Sequence, residues 1–569
     1  MKVETFFENF GQLADAPNGV QKLRELILQL AVQGKLVEQD PNDEPASVLL
    51  EQIATEKERL IQEKKIKKSD ALPQIEADEL PFDLPRGWAW VRLRELGEFC
   101  GGMTPSTNHS DYWGGEVSWV SPKDMKSLRI TNSELAITEL ALSETRLRLL
   151  PKRSLLIVAR SGILKRTLPV AINDIECVVN QDIKVIIPHD TAISEYLQLM
   201  LRGHESLILK ELVKGGMTVQ SLKYDEFEVY PFPLPPLAEQ HRIVAKVDQL
   251  MALCDELEAR QQKQQSARVR LNNAALEGLL AARAPEEFAA HWQRICDNFD
   301  LLYDAPETVG RLREAVLQLA VQGKLVPQDP NDEPASVLLE KIRAEKKRLV
   351  DEKGIKKNEL LPPIEEHYMA VELPNGWAWA RFPEIGEFGR GKSKHRPRND
   401  PKLYKNGRYR FVQTGDVARA NRVIETYTGL YNEEGLSQSK MWPKGTMCIT
   451  IAANIADSGI LGFDACFPDS VVGLIPSSEI GDAAYFEYFM RTAKDRLLDY
   501  APSTAQKNIN IGILETVLIP LPPLNEIRRI VAKVDQLMAL CDDLEAKLRR
   551  AQAAGSKLAT AAVQHLTAA

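Results

Sequence analysis

The chain has 569 residues, of which 44% are hydrophobic and 27% are charged, and its formal net charge is −8 at pH 7. This composition is ordinary for a globular protein, and the length suits several domains rather than one core. Its apolar runs, such as residues 155–159, are far too short to cross a bilayer, which argues against a membrane-spanning chain.

The cysteines and the first residues bear on the compartment. The seven cysteines are scattered, with no C-x-x-C pair and no nearby histidine, which argues against a zinc site or a disulfide framework. Residues 1–8 contain acids and no hydrophobic stretch, so they are not a secretory signal. We therefore expect a cytoplasmic protein.

Two helices are predicted near the start of the chain. The first follows Asp15-Ala16-Pro17, and Gly34 is its predicted stop. Its apolar stripe consists of Val20, Leu23, Leu26, Ile27 and Leu30. The second spans about residues 44–68, with a charged outer face, and ends before a proline-spaced segment.

A region of different character follows. Short β-like runs at residues 117–120, 155–159 and 178–188 alternate with glycine, proline, asparagine and serine. A helical stretch at residues 192–212 completes it. The pattern predicts a compact α+β domain of ordinary size.

A heptad seam then predicts a long helix. Its apolar positions are spaced 4-3-4-3 and comprise Ile243, Val247, Leu250, Cys254 and Leu257. The seam reaches Gln261 and Gln264, where it weakens. A helix of about 35 residues would span about 50 Å.

The rest of the chain repeats the first part. LAVQGKLVEQDPNDEPASVLLE at residues 30–51 recurs at residues 319–340 with one change, Glu38 to Pro327. Gly-Trp-Ala-Trp recurs at residues 376–379, PLPPL at 520–524, and the heptad block at 530–546. The second seam holds Ile530, Val534, Leu537, Cys541, Leu544 and Leu548. The stretches between these blocks have diverged, with predicted strands at 410–413 and 446–452 and a helix at 482–500.

This arrangement suggests five regions and one fold class. We expect an N-terminal helical region at 1–80, an α+β domain at 81–236, a central helical region at 237–372, a second α+β domain at 373–523 and a C-terminal helix at 524–569. The predicted fold is α+β, with two domains separated by long antiparallel coiled-coil helices in an internal pseudo-two-fold repeat. We call the near-identical repeated blocks the frame, and the two diverged stretches between them, at 81–236 and 373–523, the inserts. A constant frame with variable inserts is expected where the frame binds identical partners and the inserts bind different targets.

One segment is strongly basic despite the acidic average. Residues 389–410 contain nine lysines and arginines and one acid, Asp400. A local basic patch is compatible with DNA binding, so net charge alone decides nothing.

The search for catalytic motifs finds one formal match. Residues 386–393 satisfy the phosphate-loop pattern GxxxxGK[ST], but a proline-containing segment follows where a helix is required. The first copy has no lysine there, so we interpret the match as a coincidence within a variable loop. The Pro-Pro pairs are flanked by leucine or isoleucine rather than by the asparagine or aspartate and aromatic residue of an amino-methyltransferase loop. The sequence therefore predicts no active site.

Together these blocks resemble the specificity subunits of type I restriction-modification enzymes. The resemblance rests on LAVQGKLV…QDPNDEPASVLL, Gly-Trp-x-Trp and PLPPL-x-E-[QI]-x-R-IVAKVDQL. The first insert also resembles that family's target recognition domains in residues 101–106, 112–115, 119–125 and 216–220. The second insert departs from them, with FVQTGDV where the first has WVSPKDM and STAQKN where it has GGMTVQ.

The resemblance implies a non-catalytic, DNA-binding function. Each domain would read one half of a bipartite double-stranded DNA site, and the helices would set the gap and bind two methyltransferase subunits. Restriction and translocase subunits would complete the assembly. No cofactor would bind this chain, because S-adenosylmethionine, ATP and Mg²⁺ would belong to partners. The alternatives are a coiled-coil protein-interaction scaffold without a DNA role and a stand-alone DNA-modifying enzyme.

Polar loop residues of the inserts are the candidates for DNA contact, because Arg and Lys suit guanine, Asn and Gln suit adenine, and Asp suits cytosine. For each one, a solvated surface role is equally open. In the first insert they are Thr104, Ser106, Tyr112, Lys123, Asp124, Arg160, Lys165, Arg166, Thr218 and Gln220. In the second they are Lys392, Lys394, Arg396, Arg398, Tyr409, Gln413, Asp416, Asn454, Gln506 and Lys507. Trp88, Trp90, Trp377 and Trp379 are expected to pack in the core.

Overall fold

The computed structural model describes residues 11, 14–68, 72–76, 79–80, 82–216, 219–353, 372–499 and 509–568. The chain divides into two compact units. The first unit comprises Met1–Gln265 and Ala551–Ala569, and the second comprises Ser266–Arg550. No helix in these described ranges is both long enough and apolar enough to cross a membrane.

The helices of the first copy are α1 (Gly19–Val32), α2 (Ala46–Gln62), α3 (Leu93–Leu96), α4 (Glu139–Glu144), α5 (Ser194–Gly203), α6 (Glu205–Glu211), α7 (Tyr224–Val229) and α8 (Leu237–Ala281). Between the copies lie α9 (Pro285–Asp297) and α10 (Phe299–Leu302). The second copy has α11 (Pro306–Val321), α12 (Ala335–Lys353), α13 (Phe382–Ile385), α14 (Thr414–Arg419), α15 (Glu433–Ser437), α16 (Ala484–Asp499), α17 (Ile511–Thr516) and α18 (Leu524–Ala568).

The strands of the first copy are β1 (Ala89–Arg92), β2 (Gly97–Gly101), β3 (Trp113–Val120), β4 (Arg129–Ile130), β5 (Leu135–Ile137), β6 (Leu155–Val158), β7 (Arg160–Ser161), β8 (Val170–Asn173), β9 (Cys177–Val179), β10 (Ile183–Pro188), β11 (Val213–Lys214), β12 (Gln220–Leu222) and β13 (Pro231–Leu234). The strands of the second copy are β14 (Ala378–Ala380), β15 (Gly386–Arg390), β16 (Tyr409–Phe411), β17 (Val423–Ile424), β18 (Gly429–Tyr431), β19 (Met441–Trp442), β20 (Met447–Thr450), β21 (Ser458–Leu461), β22 (Ala465–Cys466), β23 (Val471–Pro476) and β24 (Ile519–Leu521).

The five-stranded sheets of the two inserts share a strand order although the insert sequences have diverged. The five-stranded sheet has the order β2-β10-β6-β8-β4 in the first and β15-β23-β20-β21-β17 in the second. A second sheet is built as β5-β3-β9 in the first and as β18-β16-β22-β19 in the second. The predicted α+β class is confirmed for both halves.

The frame helices form because their apolar stripes can be buried. Leu23, Leu26, Ile27 and Leu30 of α1 lie in the same core cluster as Ile243 and Val247 of α8. Ile530 and Val534 of α18 lie in the corresponding cluster of the second copy. The first part of each heptad seam is therefore buried within its own unit.

The predicted element bounds needed four corrections. The 178–188 run is two strands, β9 and β10, because the polar residues Asn180, Gln181 and Asp182 interrupt it. The 192–212 stretch is two helices, α5 and α6. The predicted loop at 386–393 begins with strand β15, which pairs with β23, so the GxxxxGK[ST] match is not a phosphate loop. Helices α8 and α18 each have 45 residues rather than about 35.

Hydrogen bonds of the frame recur in both copies. The Trp88 Nε1–H donates to Glu239 Oε2, and the Trp377 Nε1–H donates to Glu526 Oε2, both at 3.0 Å. Trp88 and Trp377 are buried, which confirms their predicted core role. Trp90 and Trp379 are half-buried strand residues. The repeated sequence therefore preserves particular buried contacts as well as a helical pattern.

Candidate nucleic-acid interface

Two parallel strands of the first half end side by side. Val120 of β3 pairs with Val179 of β9, and the Asn180 N–H donates to the Val120 carbonyl at 3.0 Å. Because the strands are parallel, the segments that follow them leave the sheet at the same edge. We call residues 103–105, 121–126, 160–166 and 180–182 the first loop cluster.

Thr104 is held against this edge by its neighbours. Its Oγ1–H donates to Gln181 Oε1 at 2.6 Å, and the Met103 N–H donates to the Val179 carbonyl at 3.1 Å. A Cβ on Gly102 would lie 1.7 Å from the Val179 oxygen, so only glycine allows this approach. Gln181 is not a candidate from the sequence alone, because the run 178–188 predicts one continuous strand.

One predicted cation is fixed beside the 180–182 loop, and two more follow it in the chain. The Arg160 N–H donates to the Asp182 carbonyl at 3.2 Å, which fixes β7 beside the 180–182 loop. Lys165 and Arg166 follow on a 3-10 turn and are exposed. Within the described part of the chain, none of the three has an ion-pair partner. They are thus available to bind an anion such as a DNA phosphate.

The carboxylates of Asp124 and Asp416 are engaged inside their domains. Asp124 accepts hydrogen bonds from the Ser121 N–H at 2.8 Å and the Glu134 N–H at 2.8 Å. Asp416 is 1% exposed and accepts from the Gln413 N–H at 2.9 Å. Because these oxygens accept backbone hydrogen bonds, both carboxylates shape the loop that follows the strand.

Other candidates of the first half lie apart from the loop cluster or inside the domain. Tyr112 precedes β3, about 20–25 Å along the strand from the residues after Val120, and its hydroxyl donates to Glu144 at 2.9 Å. The Ser106 carbonyl accepts from Trp113 Nε1 at 3.3 Å, also near the start of β3. Gln220 is 8% exposed, and its amide donates to the Gly216 carbonyl at 3.2 Å. Lys123 is exposed within the cluster, whereas Thr218 lies outside the described residues.

The second half has an equivalent edge with a cleft. Phe411 of β16 pairs in parallel with Cys466 of β22. The cleft has a volume of about 420 Å³ and is lined by Arg398, Asn399, Tyr404, Phe411, Gln413, Thr414, Ala452, Ala453, Pro468 and Ser470. We call residues 392–400, 413–419, 452–457 and 468–470 the second loop cluster. Of the predicted residues, Arg398 and Gln413 line the cleft, and the exposed Asn454 adjoins it.

The basic segment is partly neutralised by acids that are distant in sequence. Arg398 forms an ion pair with Asp469, and Arg396 Nη2 lies 3.7 Å from the same carboxylate. Arg408 pairs with Glu433, which also accepts from the Tyr409 hydroxyl at 2.8 Å. This segment therefore carries less free positive charge than its sequence predicts.

Asp400, the single acid of this segment, fixes its turn. The Lys402 N–H and His395 donate to the Asp400 carboxylate, and these bonds lower the pKa of Asp400. Lys392 and Lys394 are exposed beside the turn. Gln506 and Lys507 lie outside the described residues.

The described residues contain no group of three or more His, Cys, Asp and Glu side chains that could hold a metal ion. The candidate interface is a set of polar and cationic loops on equivalent edges of two similar domains.

Comparison with known proteins identifies relatives along the whole chain. A family model described as type I restriction modification DNA specificity domain matches residues 85–265 and 374–551. The chain is 33% identical to the type I restriction enzyme EcoAI specificity subunit of Escherichia coli, over 95% of this chain and 93% of that protein. It is 31% identical to the EcoEI specificity subunit of the same species, with the same coverage of 95% and 93%. The crystal structure of the HsdS subunit from Thermoanaerobacter tengcongensis aligns over 86% of this chain and 97% of its own, with 20% identity and a TM-score of 0.42.

Proposed function

The chain belongs to the family of type I restriction-modification DNA specificity subunits, and from this membership we propose that each of its halves reads one half of a bipartite DNA site. A specificity subunit is a non-catalytic component of these enzymes, so the chemistry resides on other subunits. S-adenosylmethionine, ATP and Mg²⁺ are accordingly assigned to those subunits.

One observation carries the proposal. The five-stranded sheets of the two halves have the same strand order and the Trp–Glu contact of the frame recurs, whereas the loops at the equivalent edges differ in both sequence and chemistry. Cations without an ion-pair partner in the described ranges follow β6 in the first half, and an arginine-lined cleft lies in the second. A shared scaffold with different loops suits two domains that bind the same polymer at different base sequences.

The residues of the two loop clusters divide by their surroundings. Exposed lysines and arginines without an ion-pair partner among the described residues suit phosphates, which supply affinity without sequence information. In this proposal Lys123, Arg160, Lys165, Arg166, Lys392 and Lys394 have that role. Thr104, Gln181, Gln413 and Asn454 present hydrogen-bonding groups that suit base edges.

The frame is proposed to position the two halves and to bind the partners. Two methyltransferase subunits would bind equivalent surfaces of the repeated helical blocks, since the repeat offers each surface twice. Restriction and translocase subunits would join the same assembly. Helices α8 and α18 would set the length of the DNA gap between the two half-sites. Each is a continuous helix of 45 residues, which suits a fixed spacing.

The test is to express the chain with its methyltransferase subunits in cells that lack other methylation and to sequence the methylated positions. We expect methylation at a two-part motif with a constant gap, which disappears when the chain is omitted. Methylation at a single continuous motif, or methylation that does not require the chain, would contradict the proposal.

A further inference from the structure

The cleft of the second half contains an arginine that is held at both its ends. The Arg398 guanidinium is paired with Asp469, and the Arg398 carbonyl accepts a hydrogen bond from the Tyr404 hydroxyl at 2.8 Å. The Arg398 side chain remains 43% exposed at the cleft. Its planar group is therefore fixed in direction before any ligand arrives.

The residue that fixes Arg398 occupies a position that the first half also uses. Lys184 pairs with Gly101 in the first half, and Val472 pairs with Arg390 in the second. Gln181 and Asp469 each lie three residues before these equivalent strand positions. Gln181 accepts a hydrogen bond from Thr104, and Asp469 forms an ion pair with Arg398. In both halves, the residue at this position therefore holds a side chain of the loop that follows β2 or its equivalent, β15.

From this arrangement we propose that Arg398 reads a guanine in the second half-site and that Asp469 is its positioning residue. The inference rests on the proposed function and specifies the ligand of the second cleft. Guanine presents two acceptors, O6 and N7, in the major groove, and the forked donors of arginine match both at once. The Arg398 Nη2 group donates to the Asp469 carboxylate. The guanidinium has five N–H donors in one plane, so others remain for the base.

The same carboxylate disfavours the main competing ligand, a phosphate. A phosphate bound to Arg398 would lie close to Asp469, and two neighbouring anions repel each other. A base edge carries no net charge, so Asp469 does not repel it. Lys392 and Lys394 are exposed without a carboxylate partner in the described part of this segment and suit phosphates better.

Arg396 differs from Arg398 although it lies near the same acid. Its Nη1 donates to the carbonyl oxygens of Ser393 at 2.6 Å and His395 at 2.9 Å. These bonds fold its guanidinium back onto its own loop. Arg396 therefore stabilises the loop, and Arg398 is the one that lines the cleft.

The test uses the full chain assembled with its methyltransferase subunits, and the motif is first determined for the unmodified chain. We expect the second half-site to contain a G·C pair at which guanine is preferred by about 5- to 150-fold. Arg398→Ala should remove the preference at that one position and leave the rest of the motif. A second half-site without a G·C pair, or a uniform loss of affinity at all positions, would overturn the inference.

Asp469→Asn tests the positioning role separately. The amide has nearly the same shape but no charge, so we expect a several-fold weaker guanine preference together with tighter, more salt-dependent binding to unrelated DNA. Glu433→Gln is the matched control, because Glu433 pairs with Arg408 in a similar exposed ion pair that is not among the cleft-lining residues. If Asp469→Asn and Glu433→Gln behave alike, Asp469 has no positioning role.

A further test changes the DNA and not the protein, so its result cannot be caused by a variant that fails to fold. Duplexes with 7-deazaguanine at the predicted position lack the N7 acceptor and should bind the unmodified complex several-fold more weakly. Equal binding of the two duplexes would overturn the reading of guanine by Arg398. The proposed function fails if no bipartite motif is found or if methylation does not require the chain, and neither outcome depends on Arg398, so the two failures are distinguishable.

Discussion

Trp88 donates its indole N–H to Oε2 of Glu239 at 3.0 Å, and this bond joins the start of the first insert to the first turn of helix α8. Glu239 is 1% exposed, and its Oε1 has no hydrogen-bond partner within the described residues. Trp377 and Glu526 repeat the pair at the same distance. The insert is thus attached to the frame by a buried and incompletely satisfied carboxylate in both copies.

This carboxylate predicts a particular pH dependence of stability. Burial raises the pKa of Glu239, and the bond from Trp88 only partly opposes that rise. A raised pKa in the folded state favours folding below the ordinary glutamate pKa, and this contribution is lost as pH rises through the raised value. Glu239→Gln keeps an acceptor for Trp88 but cannot ionise, so we expect it to be more stable than the unmodified chain near pH 8, by about 1 kcal/mol.

Thermal unfolding of both proteins between about pH 5 and about pH 8 provides the measurement. The stability difference should shrink toward the acid end. Glu526→Gln should show the same pH dependence, since burial also raises the pKa of Glu526. A Gln variant that is less stable at pH 8 than at pH 5, relative to the unmodified chain, would contradict this account.

The sequence predicted the tryptophans of these pairs but not their partners. Trp88 is visible as a repeated aromatic residue, whereas Glu239 resembles any helix-surface acid until its burial is known. The motif PLPPL-x-E did contain a signal, because an acid recurs at the same place in both copies. Repetition marks a residue as important to the frame without saying what it contacts.

The loop clusters were less predictable for a different reason. Asp469 lies 71 residues after Arg398, so no local pattern indicates that it neutralises the basic segment. Asp124 and Asp416 satisfy the chemistry of a base reader, yet both are used in the turn after a strand. Residue type predicts which ligand a free side chain suits, but the fold determines which side chains are free.

Adding a single methyl group at Gly34 should strongly destabilise the protein. It ends the turn after α1 with a φ of +68°, and an added Cβ would lie 2.5 Å from Pro85 Cγ and 3.0 Å from Trp88 Cζ2. Gly34→Ala should destabilise the protein by more than about 1 kcal/mol, because both the backbone and the contact are unfavourable. Gly323→Ala should have the same effect, since its Cβ would lie 2.7 Å from Pro374 Cγ.

Gly310→Ala is the matched control for this prediction. Gly310 lies inside helix α11, and nothing lies within 4 Å of an added Cβ. Alanine should stabilise this helix by about 0.5–1 kcal/mol. Urea unfolding measures the free energy of unfolding of the three variants. Equal changes for Gly34→Ala and Gly310→Ala would show that the contact with Pro85 is unimportant.

Lys165 and Arg166 predict a salt-dependent effect on DNA binding. Both are exposed on the turn after β7 and have no acidic partner among the described residues. The variants Lys165→Ala and Arg166→Ala should each weaken binding of all DNA sequences and reduce the salt slope by about 1. Binding is measured with the assembled methyltransferase over a range of salt concentrations, with Arg408→Ala as the control. A change in the methylated motif instead would identify the residue as a base reader.

The long helices predict how the gap between half-sites can be altered. The residues of α8 belong to the first unit up to Gln265, and those of α18 belong to it from Ala551. Seven residues inserted after Gln265, and seven after Arg550, add nearly two full helical turns and about 10 Å to each helix. The Gln261 amide keeps its bond to the Ala14 carbonyl at 2.9 Å, because the insertion follows it.

If α8 and α18 set the spacing, the doubly extended chain should methylate a motif with the same half-sites and a gap longer by about three base pairs of 3.4 Å. Lys22 Nζ donates to the Ser556 carbonyl at 2.7 Å, so the end of α18 is attached to the first unit. Extending α8 alone would make the two helices unequal in length and should therefore abolish methylation. Sequencing the methylated positions measures both outcomes. A doubly extended chain that still methylates the original gap would mean that the loop clusters move independently of the helices, and the spacing role would have to be assigned elsewhere.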